Sequence, residues 1–539
     1  MKKSFITCVV FMMTTICAYA GGLLTNTNQH AAFNRMMSRE ASIGIDGVYY
    51  NPAGVAFMAD GHHLAINWQL AYQTRDIEND YMLFTNNVNN AITPRTFQGK
   101  AFAPVIPSFQ YAYNKNRWSL QANFALTGGG GKCTFDNGLG SFEKIVAETA
   151  MGACQLASGI DPVGAAVGHA MGLPIPSRVF SSDAAFGTDG KYSYDSYMHG
   201  RQYYYGLSVG AAYKFCDNFS AFLGVRGVYA LTNYYGYVEN INVGNMPLYK
   251  VLDPTKENAA NIELSCDQTG VGFTPIIGVD YKTGRWNFSA KYEFKTRIRL
   301  KNKSVNQTPS IGNLPANLAN QMTGILTARY QQAGLPLEQA KQQAENTTNA
   351  VLNDPTVGAT MMGLKTQFDQ KLNKAIGEYE DGKKIAGDIP GYLALGIGYS
   401  PVDAVRVNVG FHWFDDKNAT SYNNRNKELK RGTLEYNAGV EVDVNKKITL
   451  STGWQNTNYG LSDEYMDDKS FVVSSNSAAI GGVYHINKKM DLNVAYFHTF
   501  YQHKKTSETV QLAADKSIVY NSDYTRNNNV FAVGLDINF

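Results

Sequence analysis

The feature that most constrains the fold is a period-two alternation of apolar and polar residues, repeated from Leu64 to the last residue. In an extended strand, alternation places successive side chains on opposite faces. Leu64, Ile66, Trp68, Leu70 and Tyr72 share one face, with Asn67 and Gln69 on the other. Trp118, Leu120, Ala122, Phe124 and Leu126 stand against Ser119, Gln121, Asn123 and Thr127. Trp286, Phe288, Ala290, Tyr292 and Phe294 oppose Asn287, Ser289, Lys291, Glu293 and Lys295. Phe531, Val533, Leu535, Ile537 and Phe539 close the chain against Gly534, Asp536 and Asn538. Fourteen such segments are predicted, and every second connection is only two to four residues long, as at Asn114-Lys115-Asn116 and Lys282-Thr283-Gly284. The remaining connections run from about ten residues to almost ninety.

An even strand count with short turns at one end and long loops at the other is the plan of a bacterial transmembrane β-barrel. Lipid outside requires the apolar face to point outward, and closure removes strand edges that lipid could not satisfy. A chain of 539 residues would otherwise imply three or more soluble domains, yet no linker-like shift in composition occurs. No stretch reaches the ~18 consecutive apolar residues of a spanning helix. The 34 Tyr, 27 Phe and 50 Gly suit a barrel with aromatic belts at two interfaces. A net charge of +3 gives no reason to expect nucleic acid as a partner. A secreted β-sandwich or propeller also alternates, but it leaves the asymmetric loops and the terminal Phe539 unexplained.

Residues 1–20 read as a secretory signal: Lys2 and Lys3, an apolar run from Phe5 to Cys17, then Ala18-Tyr19-Ala20 before Gly21. Ile16 and Ala18 flank Cys17 poorly for a lipoprotein signal. Residues 21–61 do not alternate, and 62–539 do. The non-alternating segment runs from Leu24-Thr25-Asn26 through Ser38-Arg39-Glu40-Ala41-Ser42 to Asn51-Pro52-Ala53-Gly54.

That segment, followed by fourteen predicted strands, resembles the FadL/TodX family of outer-membrane channels for long-chain fatty acids and other hydrophobic compounds. The resemblance implies a fourteen-stranded barrel with an N-terminal hatch (plug) inside it. In the family, the Asn-Pro-Ala box sits beside an inward kink of the third strand that opens the wall sideways. Carried over, Asn51, Pro52 and Ala53 match the box, with Gly54 completing it, and the third strand is Trp118–Thr127, followed by Gly128 to Gly131. Glycines at a strand end suit a bulge or a break in pairing. The implied protein is not an enzyme and needs no cofactor. It sits in the outer membrane of a Gram-negative bacterium, as a monomer among lipid and lipopolysaccharide, and takes a fatty-acid-like or aromatic ligand. A porin or a surface adhesin without a hydrophobic path is the alternative.

Two predicted external loops, about 129–200 and 301–388, exceed mere connections. One helix is expected from Ser141, with Phe142, Ile145, Val146 and Thr149 on one side, and a second from Asp161-Pro162. The other loop carries Leu318, Met322, Ile325 and Leu326, then Met361, Leu364, Phe368, Leu372 and Ile376, at helical spacing. Such stripes either pack on one another as a cap or form an apolar groove that collects ligand.

The remaining motifs carry little chemistry. Gly206-Leu207-Ser208-Val209-Gly210 matches the serine-hydrolase pattern, but Ser208 lies in mid-strand rather than on a strand–turn–helix elbow. Gly128 to Lys132 fails as a phosphate loop, because Leu126 and Cys133 stand where glycine and Ser or Thr belong. His62 and His63 point to opposite faces and make a poor metal pair. Cys133 and Cys154 share a predicted loop and could pair, whereas Cys216 and Cys266 fall at opposite barrel ends. Arg226, Lys291 and Arg406 lie on polar faces, where they would either receive a ligand carboxylate or pair with Glu293, Glu435 and Glu441. Leu23 and Leu24 are the expected apolar contacts at the hatch end.

Overall fold

The computed structural model describes residues 23–170, 172, 178–182, 185–309, 314–513 and 516–539. The expected signal and Gly21 lie outside them. Fourteen antiparallel wall strands close into a barrel. The first seven are β1 (Gly61–Tyr81), β2 (Arg95–Lys115), β3 (Trp118–Phe135), β4 (Tyr192–Cys216), β5 (Phe219–Val243), β6 (Ile262–Thr283) and β7 (Trp286–Glu293, continued by Arg299–Gln307). The rest are β8 (Lys384–Ala386 and Tyr392–Val402), β9 (Val405–Phe414), β10 (Thr433–Asn445), β11 (Ile448–Asn458), β12 (Ser475–Asn487), β13 (Met490–Tyr501 and Lys504–Ala513) and β14 (Lys516–Asn538). Closure is made by β1 on β14, in register from His63↔Asn538 to Tyr81↔Tyr520.

The outward face is apolar, as the alternation predicts. Ile66, Trp68, Phe109, Leu207, Phe273, Leu395, Ile480 and Val494 are exposed, while Asn67, Gln110, Ser208, Asn437 and Asn493 are buried on the inward side. A continuous ring of exposed large hydrophobics fits a barrel surrounded by lipid.

Several strands run further toward the long-loop end than the alternation indicates. β3 reaches Phe135 and β4 starts at Tyr192, so the first long loop is shorter than expected; Arg299–Gln307 and Lys384–Ala386 shorten the second. Among the described residues the loops carry four long helices: α1 (Gly140–Ala170), α2 (Leu314–Gln332), α3 (Leu337–Leu352) and α4 (Pro355–Ile376). α4 starts where local chemistry predicts, with Asp354 accepting from the Thr356 and Val357 N–H groups and Pro355 next. Leu318, Met322, Leu326, Val146, Ala150 and Val351 pack with Ile77, Phe97 and Tyr520 of the wall into one core. The helices therefore cap the barrel. The side chain of Leu364 is outside the described set.

Two local expectations are corrected. Asp161-Pro162 does not start a second helix, because α1 is continuous through Pro162. The buried Asp161 carboxylate instead accepts from the N–H groups of Val179, Phe180 and Ser181 at 3.1, 2.7 and 3.1 Å. A tertiary demand for an acceptor thus outweighs the local capping signal. Cys133 and Cys154 are free thiols, on β3 and α1 respectively, and the Cys154 thiol donates to the Phe186 carbonyl at 3.1 Å.

Candidate functional site

Residues 23–60 sit within the barrel, with short helices at Ala31–Met36 and Gly47–Tyr50. The segment has one small apolar cluster of its own, Phe33, Tyr49 and Tyr50, and its other apolar residues pack on the wall, as Ile45, Val48 and Val55 do with Ala65 and Ala112. Met36 lies so close that a β-carbon on Gly453 of β11 would occupy the space of its carbonyl oxygen. At that point wall and plug meet backbone to backbone, which only glycine permits.

Charge fastens the same side. Glu441 of β10 receives Arg35, Arg39 (3.1 Å) and Arg406 (3.4 Å). Arg39 also grips Asp46 at 2.6 and 3.1 Å, and Arg35 donates to Ser451 and Asn493 at 2.9 and 3.2 Å. Beside this network, His412 of β9 is fully buried between Glu40 of the plug and Glu435 of β10, 2.8 Å from each. Sequence reading missed His412, Glu40, Arg35 and Arg39 as a set. The available signal was charge within a non-alternating segment and on the polar faces of β9 and β10.

The predicted cations lie in the lumen and are paired. Arg226 grips Glu293 at 2.6 and 2.9 Å, and Lys291 reaches Glu293 at 3.0 Å and the Tyr49 carbonyl at 2.6 Å. The Tyr49 ring centroid lies 4.0 Å from the Lys291 ammonium. Arg406 forks onto Asp443 at 2.7 and 2.6 Å. The Asn51 box ties the plug to β3, β5 and β6. Asn51 donates to Asp280 (2.6 Å) while its amide oxygen accepts from Gly54 N–H (3.1 Å). Gln121 and Ser220 donate to the Pro52 and Ala53 carbonyls, each at 2.7 Å.

Between β2 and β3 the ladder of the wall is broken. β2 and β3 pair from Lys115↔Trp118 to Phe109↔Phe124, and resume only at Lys100↔Thr134. Residues 101–108 and 125–133 face each other without a ladder. Pro104 and Pro107, which have no amide donor, fall in this stretch. β3 shifts register against β4 between Leu126, Gly128 and Gly131, with φ of 89° at Gly129 and 62° at Gly131. The end of the plug takes up the freed groups: Asn26 N–H donates to Thr127 O at 2.9 Å and Gly129 N–H to Leu24 O at 3.1 Å. A β-carbon on Gly128 would come 2.8 Å from Leu24 O, so glycine is what lets the plug terminus lie on β3. Leu23 N–H donates to the buried Asp416 (3.3 Å), and Leu24 packs on Tyr204, Val228, Ile298 and Leu300.

Apolar side chains line the way to this gap. Met37 of the plug, Ala71, Ala103, Ile106, Leu126, Tyr203, Phe497 and Val530 form one buried cluster. On the β2 side of the gap, Phe102 and Val105 are 49% and 40% exposed, which places the gap within the outward apolar band. A second apolar space lies under the cap, lined by Phe142, Ile145, Val146, Phe368, Leu372 and Ile376 with Lys469 at its edge.

No protein-family model matches the chain, and no curated protein matches it in sequence. Solved structures do. A FadL homologue of Pseudomonas aeruginosa is similar at a TM-score of 0.56 and 14% identity, over 96% of this chain and 100% of that one. A TodX deltaS2S3 mutant, a monoaromatic hydrocarbon channel, gives 0.50 and 13% identity over 94% and 98%. The expected FadL/TodX resemblance holds at the level of the fold.

Proposed function

We propose that this chain is a FadL/TodX-like outer-membrane channel for passive uptake of long-chain fatty acids or other hydrophobic small molecules. The observation that carries the reading is the buried apolar cluster running from Met37 on the plug to the unpaired stretch between β2 and β3. The cap pocket is the first stop, where an apolar ligand leaves water at ~0.8 kcal/mol per methylene buried. It then passes to the cluster beneath when the plug end at Leu23–Asn26 shifts off β3. The gap offers an exit sideways into lipid, past Leu126 and Tyr203. Burial and downstream consumption drive the movement, and no step is catalytic.

In this reading residues 1–20 are removed on export, the long loops face outward, and lipid and lipopolysaccharide surround the barrel. Leu23 and Leu24 are ligand contacts beside the gap. Arg226, Lys291 and Arg406 can receive a carboxylate only by exchanging it for Glu293 or Asp443. The plug end that moves is held by backbone hydrogen bonds to β3 and by Asp416, whereas ion pairs on Glu441 and His412 fix the Arg35–Glu40 stretch.

The test is uptake of labelled hexadecanoate and toluene by cells lacking their own hydrophobic channels, comparing the native chain with Ala103→Trp. Loss of uptake in a folded Trp variant supports the path. Equal uptake by both, or large non-selective conductance of the native protein in bilayers, overturns it and leaves a porin or adhesin.

A further inference from the structure

Toward the long-loop end, charge on the outer surface of the wall is sorted by strand. On β7 the outward row runs through Trp286, Phe288 and Phe294, all exposed, and then changes to Arg297, Arg299, Lys301 and Lys303, also exposed. The residues between these cations, Ile298, Leu300 and Asn302, are buried on the inner side. Lys384 of β8 stands directly opposite Lys301, so the cations spread over two strands. From Trp286 to Arg297 the strand climbs roughly 28 Å at ~3.3 Å per residue and ~40° tilt, just past an apolar band of about 25 Å. On β1 the outward row beyond Tyr72 reads Thr74, Asp76, Glu78 and Asp80, four positions without a cation.

Most of these cations are not neutralised within the chain. Among the described residues, Arg297, Lys301, Lys303 and Lys384 make no side-chain hydrogen bond or ion pair. Arg299 is matched by the buried Asp388 at 2.9 Å. Asp267, which faces Lys303 across the strand pair, accepts from Asn233 at 2.8 Å instead. Like charges set directly opposite each other, as Lys301 and Lys384 are, destabilise a strand pair. An external source of negative charge would stabilise the arrangement. Beside the stripe, where Gly270 and Gly272 lie against the Arg299 and Arg297 carbonyls, Val271 and Phe273 of β6 are 63% and 70% exposed. Long basic side chains lay their stems on such apolar surface and carry their charge into the head-group layer.

We propose that Arg297, Lys301, Lys303 and Lys384 form a docking stripe for the phosphate groups of a phosphorylated glycolipid of the outer leaflet, lipopolysaccharide, with its acyl chains on Val271, Phe273 and Phe294. A phosphate monoester brings up to two negative charges and three acceptor oxygens. One such group can bridge Lys301 and Lys384, and a second can take the planar fork of Arg297. Fixed cations of the wall then hold the phosphates without a bridging metal ion. The stripe covers β7 and β8 only, so it orders lipid on one side of the barrel, while Asp76, Glu78 and Asp80 on β1 disfavour the same lipid there. The proposal takes from the channel reading only that the long loops face outward, and it stands whether or not the barrel carries a hydrophobic ligand.

The experiment measures binding of lipopolysaccharide to the protein purified in non-ionic detergent, with a metal chelator present. Two triple variants carry the same change in net charge: Lys301→Gln/Lys303→Gln/Lys384→Gln in the stripe, and Lys446→Gln/Lys447→Gln/Lys488→Gln at exposed short turns of the other barrel end. Each cation close to an anionic lipid surface is worth about fivefold in affinity. The stripe variant should therefore lose at least about tenfold, and the turn variant less than about twofold. Dephosphorylated lipopolysaccharide should bind the native protein at least about tenfold more weakly. Without lipid, the stripe variant should melt at or above the native temperature, because it removes the Lys301–Lys384 repulsion. Should it not fold, Arg297→Gln decides alone, with an expected loss of about fivefold. Equal losses in the two triple variants, equal binding of the dephosphorylated lipid, or no binding by the native protein overturns the stripe. Displacement of the lipid by inorganic phosphate also overturns it, assigning the cations to a free anion. None of these outcomes touches the channel reading, which is tested by uptake.

Discussion

Replacing Glu441 by Gln asks whether charge holds the plug against β10. The carboxylate is buried and shared by Arg35 and Arg39 of the plug and Arg406 of the wall. The substitution keeps an acceptor oxygen and the shape but removes the charge. Arg39 retains Asp46 and Arg406 retains Asp443, whereas Arg35 keeps only neutral partners, Ser451 and Asn493. Stripping one partner from a buried pair costs roughly 3–5 kcal/mol, and the lower end applies here because hydrogen bonding survives. About 3 kcal/mol shifts a seated-to-displaced equilibrium roughly a hundredfold, at ~1.4 kcal/mol per tenfold. Single-channel recording in planar bilayers reads this directly: openings that are rare in the native protein should become about a hundredfold more frequent. Asp443→Asn is the control, since Asp443 touches Arg406 and Thr449 but no plug residue. Unchanged opening in Glu441→Gln, or equal change in both variants, would refute electrostatic seating.

Other outcomes follow from the same contacts. Gly129→Ala, at φ 89°, adds about 1–2 kcal/mol of backbone strain and crowds the Gln202 carbonyl; hydrogen exchange at Asn26 and Gly129 should accelerate, and unaltered protection would contradict the plug–β3 pairing. Burial raises the carboxyl of Asp416, in the loop after β9, to about 6. A carboxyl raised above its unfolded value binds an extra proton in the folded state, so its contribution to stability grows as pH falls from 7 through 6 toward 4. Asp416→Asn should therefore raise the melting temperature at pH 7.5 and flatten its pH dependence; melts that stay parallel to the native ones exclude this role. Tyr203→Ala removes a buried ring from the gap and should speed efflux of a hydrophobic dye from proteoliposomes, with slower or equal efflux counting against a wall exit.

Much of the barrel is local information. Which face of each strand meets lipid is decided by side-chain alternation alone, so strand number, the short turns and the terminal Phe539 are all legible without coordinates. The plug was legible only as the stretch that does not alternate. Its fastening was not, because Arg39 and Glu441 are 402 residues apart and no local pattern pairs them. The cap helices show the limit from the other side: Asp161-Pro162 has the local marks of a helix start, and the loop at Val179 and Phe180, 18 and 19 residues on, uses its carboxylate instead.

The amino-acid sequence by itself determined an alternating, fourteen-stranded wall with lipid outside, because burial against lipid acts on each side chain separately. Only the tertiary structure decided where the hydrogen-bond ladder of that wall breaks and what its polar face holds. Alternation specifies the face of a residue and not its hydrogen-bond partner, so the break between β2 and β3 leaves the hydropathy pattern intact. Nor does it say which lumen charges meet: Arg226 finds Glu293, and Arg39 of the plug finds Glu441, because only closure of the barrel around the plug brings those segments together.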